Sequence, residues 1–291
     1  MNSTEERVAG SIIDRRRGLS HRDFVREYLR PQKPVVLTDA IDHWPALGHW
    51  TPEFFRSAFG LRSVTVDGQQ YALRDLMTLI ENSSKRHPAP YLRNLLIADW
   101  APELLADITP MPDCTRPNWL GSPLFHDRDA TTAIELYIGG EGASFPVLHY
   151  DGMHTHAFLM QLHGTKEYVA FAPDQAKYLY PREGFERNKS RVVDIENPDL
   201  EAFPLFAAAT PLRTLLRAGE TLFMPSGWWH TARILEPTIT VSINTANKTN
   251  WAAFRSDYLE SIERHQPRWR TRAVAGYMTL FAMVEQTVSG V

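Results

Sequence analysis

Apolar positions along the chain fall into three successive textures. Up to about Ser122 they recur at helical spacing, with short extended runs between. Ser20 reads as the N-cap of a helix that carries Phe24, Tyr28 and Leu29 and stops at Pro31. Val35-Val36-Leu37 predicts a short buried strand, and Thr51-Pro52 opens a second helix with Phe54, Phe55 and Phe59 on its apolar side. Leu73–Glu81 predicts a third. From Thr131 to about Asn247 the period shortens to two, and strands are expected over 133–138, 147–150, 158–162, 167–171, 213–216, 220–224, 231–235 and 238–244. Glycine and proline punctuate them at Gly139-Gly140, Gly164, Pro173, Gly219, Pro225 and Gly227, a rhythm that predicts a barrel or jelly roll. The polar stretch from Pro173 to Pro211 is expected to be a surface excursion. Beyond Trp251 helical spacing returns, through Phe254, Tyr258 and Ile262 and then Tyr277, Leu280, Phe281 and Val284, with Pro267 between the two helices. The division expected is a domain over 1–250 and a helical extension over 251–291; such a helical pair either caps the barrel or pairs with a second subunit, and a homodimer through it is the expectation.

Composition narrows the class of protein without choosing a function. The 291 residues are 43% hydrophobic and 22% charged, ordinary values for a globular chain. A net charge of −3 with no basic stripe argues against a nucleic-acid partner. Cys114 is the only cysteine, so neither an intramolecular disulfide nor a zinc–thiolate site can form. Residues 1–10 are polar and do not resemble a signal peptide, and no run of roughly eighteen apolar residues occurs. A soluble, cytoplasmic protein is the expectation.

Candidate chemistry gathers around His149-Tyr150-Asp151 and His230. Residues two apart on an extended chain point to the same side, so His149 and Asp151 can bind one ion together. A third ligand must come from another strand, and His230 follows the turn at Pro225-Ser226-Gly227. Two imidazoles and a carboxylate on one face of an octahedral iron(II) leave the opposite positions open for reactants. Alone, the H-x-D match is weak in a chain of eleven histidines. His154 and His156 repeat the spacing and offer a competing metal site, with His126 and His163 close by in sequence.

Three longer segments add weight. HYDGMHTHAFLMQLHGTKEYVAFAPDQAKYLYP resembles the first metal-binding strand pair of JmjC-type (cupin-like) hydroxylases. RVVDIENPDLEAFPLF followed by AGETLFMPSGWWHTARILEPTITVSIN resembles the second half of that barrel, and PVVLTDAIDHWPALGHWTPEFF its opening segment. The likeness runs from about Val35 to about Asn247, and is similar in detail to the asparaginyl hydroxylase that inhibits hypoxia-inducible factor and to small JmjC-only relatives. It implies a mainly β fold, a double-stranded β-helix (jelly roll, cupin) core with N-terminal α/β elements and C-terminal helices. His149, Asp151 and His230 match the iron(II) ligands, and Lys166 matches the lysine that pairs with the far carboxylate of 2-oxoglutarate. Tyr91 matches a tyrosine that reaches the same carboxylate, and Ser242 and Asn244 are candidates for further polar contacts with the co-substrate. Two departures stand out. Two extra residues follow H-x-D, leaving Ala157 where relatives carry asparagine, and Pro146 stands where they carry Thr or Ser.

The resemblance implies an oxygenase that consumes dioxygen and 2-oxoglutarate and hydroxylates an unactivated C–H bond. Its substrate is expected to be a protein or peptide side chain, or else a small amino-acid-like metabolite. Trp100, Trp119, Trp228 and Trp229 either line a substrate groove or are ordinary packing. The alternatives are a metal-dependent cupin enzyme that does not use 2-oxoglutarate, for which Lys166 would have no role, and a scaffold that pairs through its C-terminal helices.

Overall fold

Alternating side chains give each strand of this protein two dissimilar faces, and burying one of them assembles two sheets. The computed structural model describes residues 11–125 and 134–289; His126 and Ala133 fall outside these. The strands are β1 (Ser11–Ile12), β2 (Asp14–Arg16), β3 (Val35–Leu37), β4 (Ser63–Val66), β5 (Gln69–Ala72), β6 (Leu92–Leu96) and β7 (Ile134–Gly139). They continue as β8 (His156–His163), β9 (Thr165–Phe171), β10 (Leu212–Arg217), β11 (Thr221–Met224), β12 (Trp229–Ile234) and β13 (Thr238–Thr245). A seven-stranded sheet has the order β2-β3-β11-β8-β13-β7-β6, and a four-stranded sheet the order β1-β10-β9-β12. From β8 to β13 the chain passes back and forth between the sheets, as a jelly roll requires. Val36, Ala157 and Leu222 from the larger sheet meet Tyr168, Ala170 and Ala232 from the smaller one in a shared core.

The expected N-terminal helices form. Ser20 Oγ accepts from the Asp23 N–H at the start of α1 (His21–Phe24), which continues as a π-helical turn over Val25–Leu29. Thr51 caps α2 (Pro52–Phe59) in the same way, and α3 (Leu73–Glu81) lies against it. With α4 (Ile97–Trp100) they cover one side of the larger sheet in a continuous apolar cluster.

Several local expectations need correction. The strand expected over 147–150 is absent. Leu148 accepts from the Ser190 N–H, His149 pairs with His230, and Tyr150 pairs with Asn188, so the segment changes partner too often to join a ladder. The β4–β5 hairpin escaped the period analysis, yet Asp67-Gly68 carried its turn signal. Both residues have positive φ (49° and 83°), as a two-residue type I′ turn demands. The Pro173–Pro211 stretch is more than a surface excursion, because it buries Leu179, Val192 and Phe206 against Phe171 and Trp229.

At the C-terminus, α5 (Trp251–Glu263) and α6 (Arg268–Ser289) flank Pro267. Trp251, Phe254 and Tyr258 of α5 and Met278 and Phe281 of α6 join Trp119, Leu120 and Phe125 in a separate core. The expected stripe along α6 therefore splits. Phe281 is buried, whereas Leu280, Met283 and Val284 are exposed. Among the described residues no helix is long and apolar enough to cross a membrane.

Candidate metal centre and co-substrate cavity

His149, Asp151 and His230 come together although their positions span the barrel sequence. Their ligand atoms all lie within 4.8 Å of one another, and no other such group of His, Cys, Asp and Glu occurs among the described residues. One pair of backbone bonds makes this possible. The His149 N–H donates to His230 O at 3.1 Å, and the His230 N–H to His149 O at 2.6 Å. Both rings are also fixed in tautomer. His149 Nδ1 lies 3.0 Å from Val147 O and His230 Nδ1 lies 3.0 Å from Trp228 O. A carbonyl can only accept, so each Nδ1 carries the proton and each Nε2 presents a lone pair. Orienting bonds of this kind are what metal-bound imidazoles ordinarily have.

Electrostatics favour an ion at this point. Burial, helped by neighbouring His230, pushes the His149 imidazole down to about 3, so it stays neutral and able to coordinate. Burial raises the Asp151 carboxyl while His230 opposes that rise. A divalent cation reverses the second effect by pairing with the carboxylate. Phe145 stacks on His149 with ring centroids 4.3 Å apart and covers one face of the ligand.

The loop after Asp151 is held from the C-terminal helices. Met153 and His154 both have positive φ (55° and 49°), a conformation that needs outside support in non-glycine residues. Asp257 Oδ2 lies 2.7 Å from His154 Nδ1, and Asn250 Nδ2 donates to His154 O at 2.9 Å. Arg187 braces Asp257 from the other side at 2.7 Å. Asp257→Ala is therefore expected to loosen the loop and weaken divalent-metal affinity by about tenfold or more. A metal titration that gives wild-type affinity for this variant would show that the α5 contact does not hold the ligand.

The competing histidines have other work. His156 Nδ1 accepts from the Ser226 N–H at 2.9 Å, which leaves Nε2–H to donate to Thr249 Oγ1 at 2.8 Å. With both nitrogens bonded and burial pushing it down to about 3, His156 is a neutral core residue.

The centre opens into a cavity of about 250 Å³ between the sheets. Lys166 reaches it from β9, where Gly164 sets the preceding turn at φ +69°, and a Cβ there would strike Pro237 O. Lys166 is 1% exposed, and burial pushes its ammonium down to about 7. Its Nζ donates to Tyr91 Oη at 2.9 Å. That hydroxyl accepts, which leaves its own proton for a ligand, and burial keeps the phenol from ionising. Tyr91 fits because Gly139 lacks a Cβ, which would meet its ring. Ser242 and Asn244 also line the cavity. Ala157 lies beside Asn244 in register, so at the position where relatives carry asparagine an amide stands one strand away.

The wall formed by Asn94, Glu135 and Tyr137, whose ring centroid lies 5.8 Å from Lys166 Nζ, was not foreseen from the sequence. Glu135 and Tyr137 alternate on β7 and could have been read as inward-facing, but Asn94 depends on a bulge that no periodicity reveals. The tryptophans are packing residues. Trp119 belongs to the C-terminal core, Trp228 and Trp229 to the clusters on either face of the smaller sheet, and half-buried Trp100 stacks near Phe59.

A jelly roll with a His-Asp-His triad at the mouth of an inter-sheet cavity defines a metal-dependent cupin. The match of residues 56–249 to the Cupin-like domain shows that the chain belongs to the cupin-like JmjC family. It is 34% identical over 230 residues to lysine-specific demethylase 8 of Xenopus tropicalis, covering 75% of this chain and 49% of that protein. It is 28% identical over 244 residues to arginine-specific demethylase JMJ22 of Arabidopsis thaliana, covering 82% and 47%. With Jumonji C domain-containing protein 5 of Drosophila melanogaster the identity is 30% over 237 residues, covering 76% and 56%. The chain spans about half the length of the curated relatives it matches. Iron(II) and 2-oxoglutarate are the cofactors of this family, and the triad and the buried lysine fit both.

Proposed function

We propose that the chain is an iron(II)- and 2-oxoglutarate-dependent oxygenase that hydroxylates an unactivated C–H bond, in a protein or peptide side chain or else in a small amino-acid-like metabolite. The observation that carries this reading is Lys166. Among the described residues this fully buried ammonium donates one hydrogen bond, to a neutral phenol, and pairs with no anion, which a carboxylate entering the cavity supplies. A cupin that binds metal without 2-oxoglutarate has no use for such a group.

Each residue then has a task. His149, Asp151 and His230 would hold iron(II) on one face. Lys166 and Tyr91 would grip the far carboxylate of 2-oxoglutarate, with Ser242 and Asn244 placed along the same cavity. Bound iron(II), with 2-oxoglutarate and dioxygen, supplies the oxidising power, and succinate and carbon dioxide are the co-products. The protein's own contribution is positioning, together with exclusion of water by Phe145, Leu159 and the tyrosines of the wall. The relatives named as demethylases support a protein side chain as substrate. Hydroxylation of an N-methyl carbon gives a hemiaminal that releases formaldehyde, so demethylation and stable hydroxylation, as in an asparaginyl hydroxylase, share one C–H step. Succinate should form from 2-oxoglutarate only when iron(II) and dioxygen are both present. Succinate formation that persists after chelation of iron would rule the assignment out.

We also propose a homodimer through α6, because Leu280, Met283 and Val284 form an exposed apolar strip on a helix whose other side is buried. Light scattering at micromolar concentration should give twice the chain mass, and Leu280→Glu should halve it. A monomeric wild-type protein would refute the proposal.

A further inference from the structure

Three tyrosines line the cavity, and one of them is left without a hydrogen bond. Tyr91 Oη accepts from Lys166 Nζ, and Tyr137 Oη donates to Glu135 Oε2 at 2.7 Å. Among the described residues nothing bonds the hydroxyl of Tyr168, although that residue is only 4% exposed. Burying a hydroxyl without a partner is costly, so a native site keeps one where something other than the protein satisfies it. Burial raises this phenol, and neighbouring Tyr91 and Asp151 raise it further, so it meets the cavity protonated and able to donate.

The strand sets its place. Lys166, Tyr168 and Ala170 alternate onto one face of β9, in register with Ile234, Ala232 and His230 of β12. Tyr168 therefore stands two residues, roughly 7 Å along the strand, from Lys166 and equally far from the level of the metal ligand His230. A molecule that reaches from the metal to Lys166 has to pass over it. The groups that act on its hydroxyl, Tyr91 and Asp151, belong to the two ends of that path. Room for so large a ring comes from small neighbours, because Ala157, Ala170 and Ala232 belong to the same buried cluster.

We infer that the Tyr168 hydroxyl donates a hydrogen bond to a carboxylate oxygen of bound 2-oxoglutarate, alongside Lys166 and Tyr91. This rests on the oxygenase reading of the same cavity. The hydroxyl then costs stability while no co-substrate is bound and is satisfied once it enters. That combination separates a binding residue from a packing residue. Removing the hydroxyl leaves the ligand-free protein no less stable and weakens the complex.

The test uses the full chain loaded with redox-silent zinc(II) and compares the wild type with Tyr168→Phe, which keeps the ring. Calorimetric titration with 2-oxoglutarate should show affinity lower by about tenfold or more in the variant, the usual effect of losing a hydrogen bond to a charged group. Without 2-oxoglutarate, the denaturant midpoint of the variant should equal or exceed that of the wild type. Unchanged affinity for 2-oxoglutarate would overturn the inference and leave the hydroxyl to the oxidised substrate or to water. A lowered midpoint, or a variant that fails to fold, would overturn it as well, because the hydroxyl would then be serving the fold. Failure of the wild-type zinc protein to bind 2-oxoglutarate would instead refute the oxygenase reading beneath it.

Discussion

Lys166→Met is expected to abolish 2-oxoglutarate binding while making the protein without co-substrate more stable. Both effects follow from burying an ammonium that, among the described residues, donates only to the neutral hydroxyl of Tyr91. Without the ammonium, the co-substrate's far carboxylate would enter the cavity with no counter-charge at that end. Breaking a buried pair by removing one member costs about 3–5 kcal/mol, or at least a hundredfold in affinity. The stability effect runs the other way. Burial lowers Lys166 to about 7 from 10.5, so between those values the unfolded chain holds a proton that the folded chain has lost. Stability therefore rises with pH across that window, and the penalty, on the order of a few kcal/mol, is fully present below it. Methionine removes the penalty, so the variant should exceed the wild type in denaturant midpoint at pH 7, and the gap should close towards pH 10. The same lysine gives the pH dependence of binding. Above about 7 the site must take up a proton to hold the carboxylate, so affinity should fall by up to tenfold per pH unit. A variant that is less stable at pH 7, or that still binds 2-oxoglutarate, would refute this role for Lys166.

Asp151→Ala is expected to lower iron(II) affinity by more than about a hundredfold. It removes the only anion of the triad and leaves two neutral imidazoles, which alone neither offset the ion's charge nor complete one face of an octahedron. The neighbouring loop offers no substitute. His154 is engaged by Asp257 and His156 by Ser226 and Thr249. Anaerobic iron(II) titration measures the loss directly. Wild-type affinity in the variant would place the metal elsewhere, against the geometry of the three side chains.

Much of this site is legible in the sequence because its chemistry sits on regular strands. Lys166 follows a glycine turn into β9 and His230 a glycine turn into β12, so local signals place both on inward faces. Ser242 and Asn244 follow from the simple alternation of β13. What escapes is whatever depends on a distant partner. The 147–150 segment reads as a strand from its composition, yet its neighbours change from residue to residue, and only His149 bridges to β12. Asn94 faces the cavity because β6 slips by a register against β7, a relation between two strands that neither records alone. The hold of α5 on the Asp151 loop is likewise invisible locally, since Asp257 and Asn250 look like ordinary polar residues of a helix and its cap. In contrast, Asp67-Gly68 carried a sufficient turn signal for β4 and β5, and weighing it would have found that hairpin.

On this reading one cavity holds iron(II) through His149, Asp151 and His230 and 2-oxoglutarate through Lys166. Anaerobic addition of 2-oxoglutarate to the iron(II)-loaded protein, followed in the visible range, addresses it most directly, because chelation of iron(II) by the keto acid produces a charge-transfer band that neither component shows alone. The expected result is a band that saturates at one equivalent of 2-oxoglutarate and fails to appear in Lys166→Met at the same concentrations. Iron(II) binding with no spectral change on adding 2-oxoglutarate would contradict the account and leave a metal-dependent cupin of another kind.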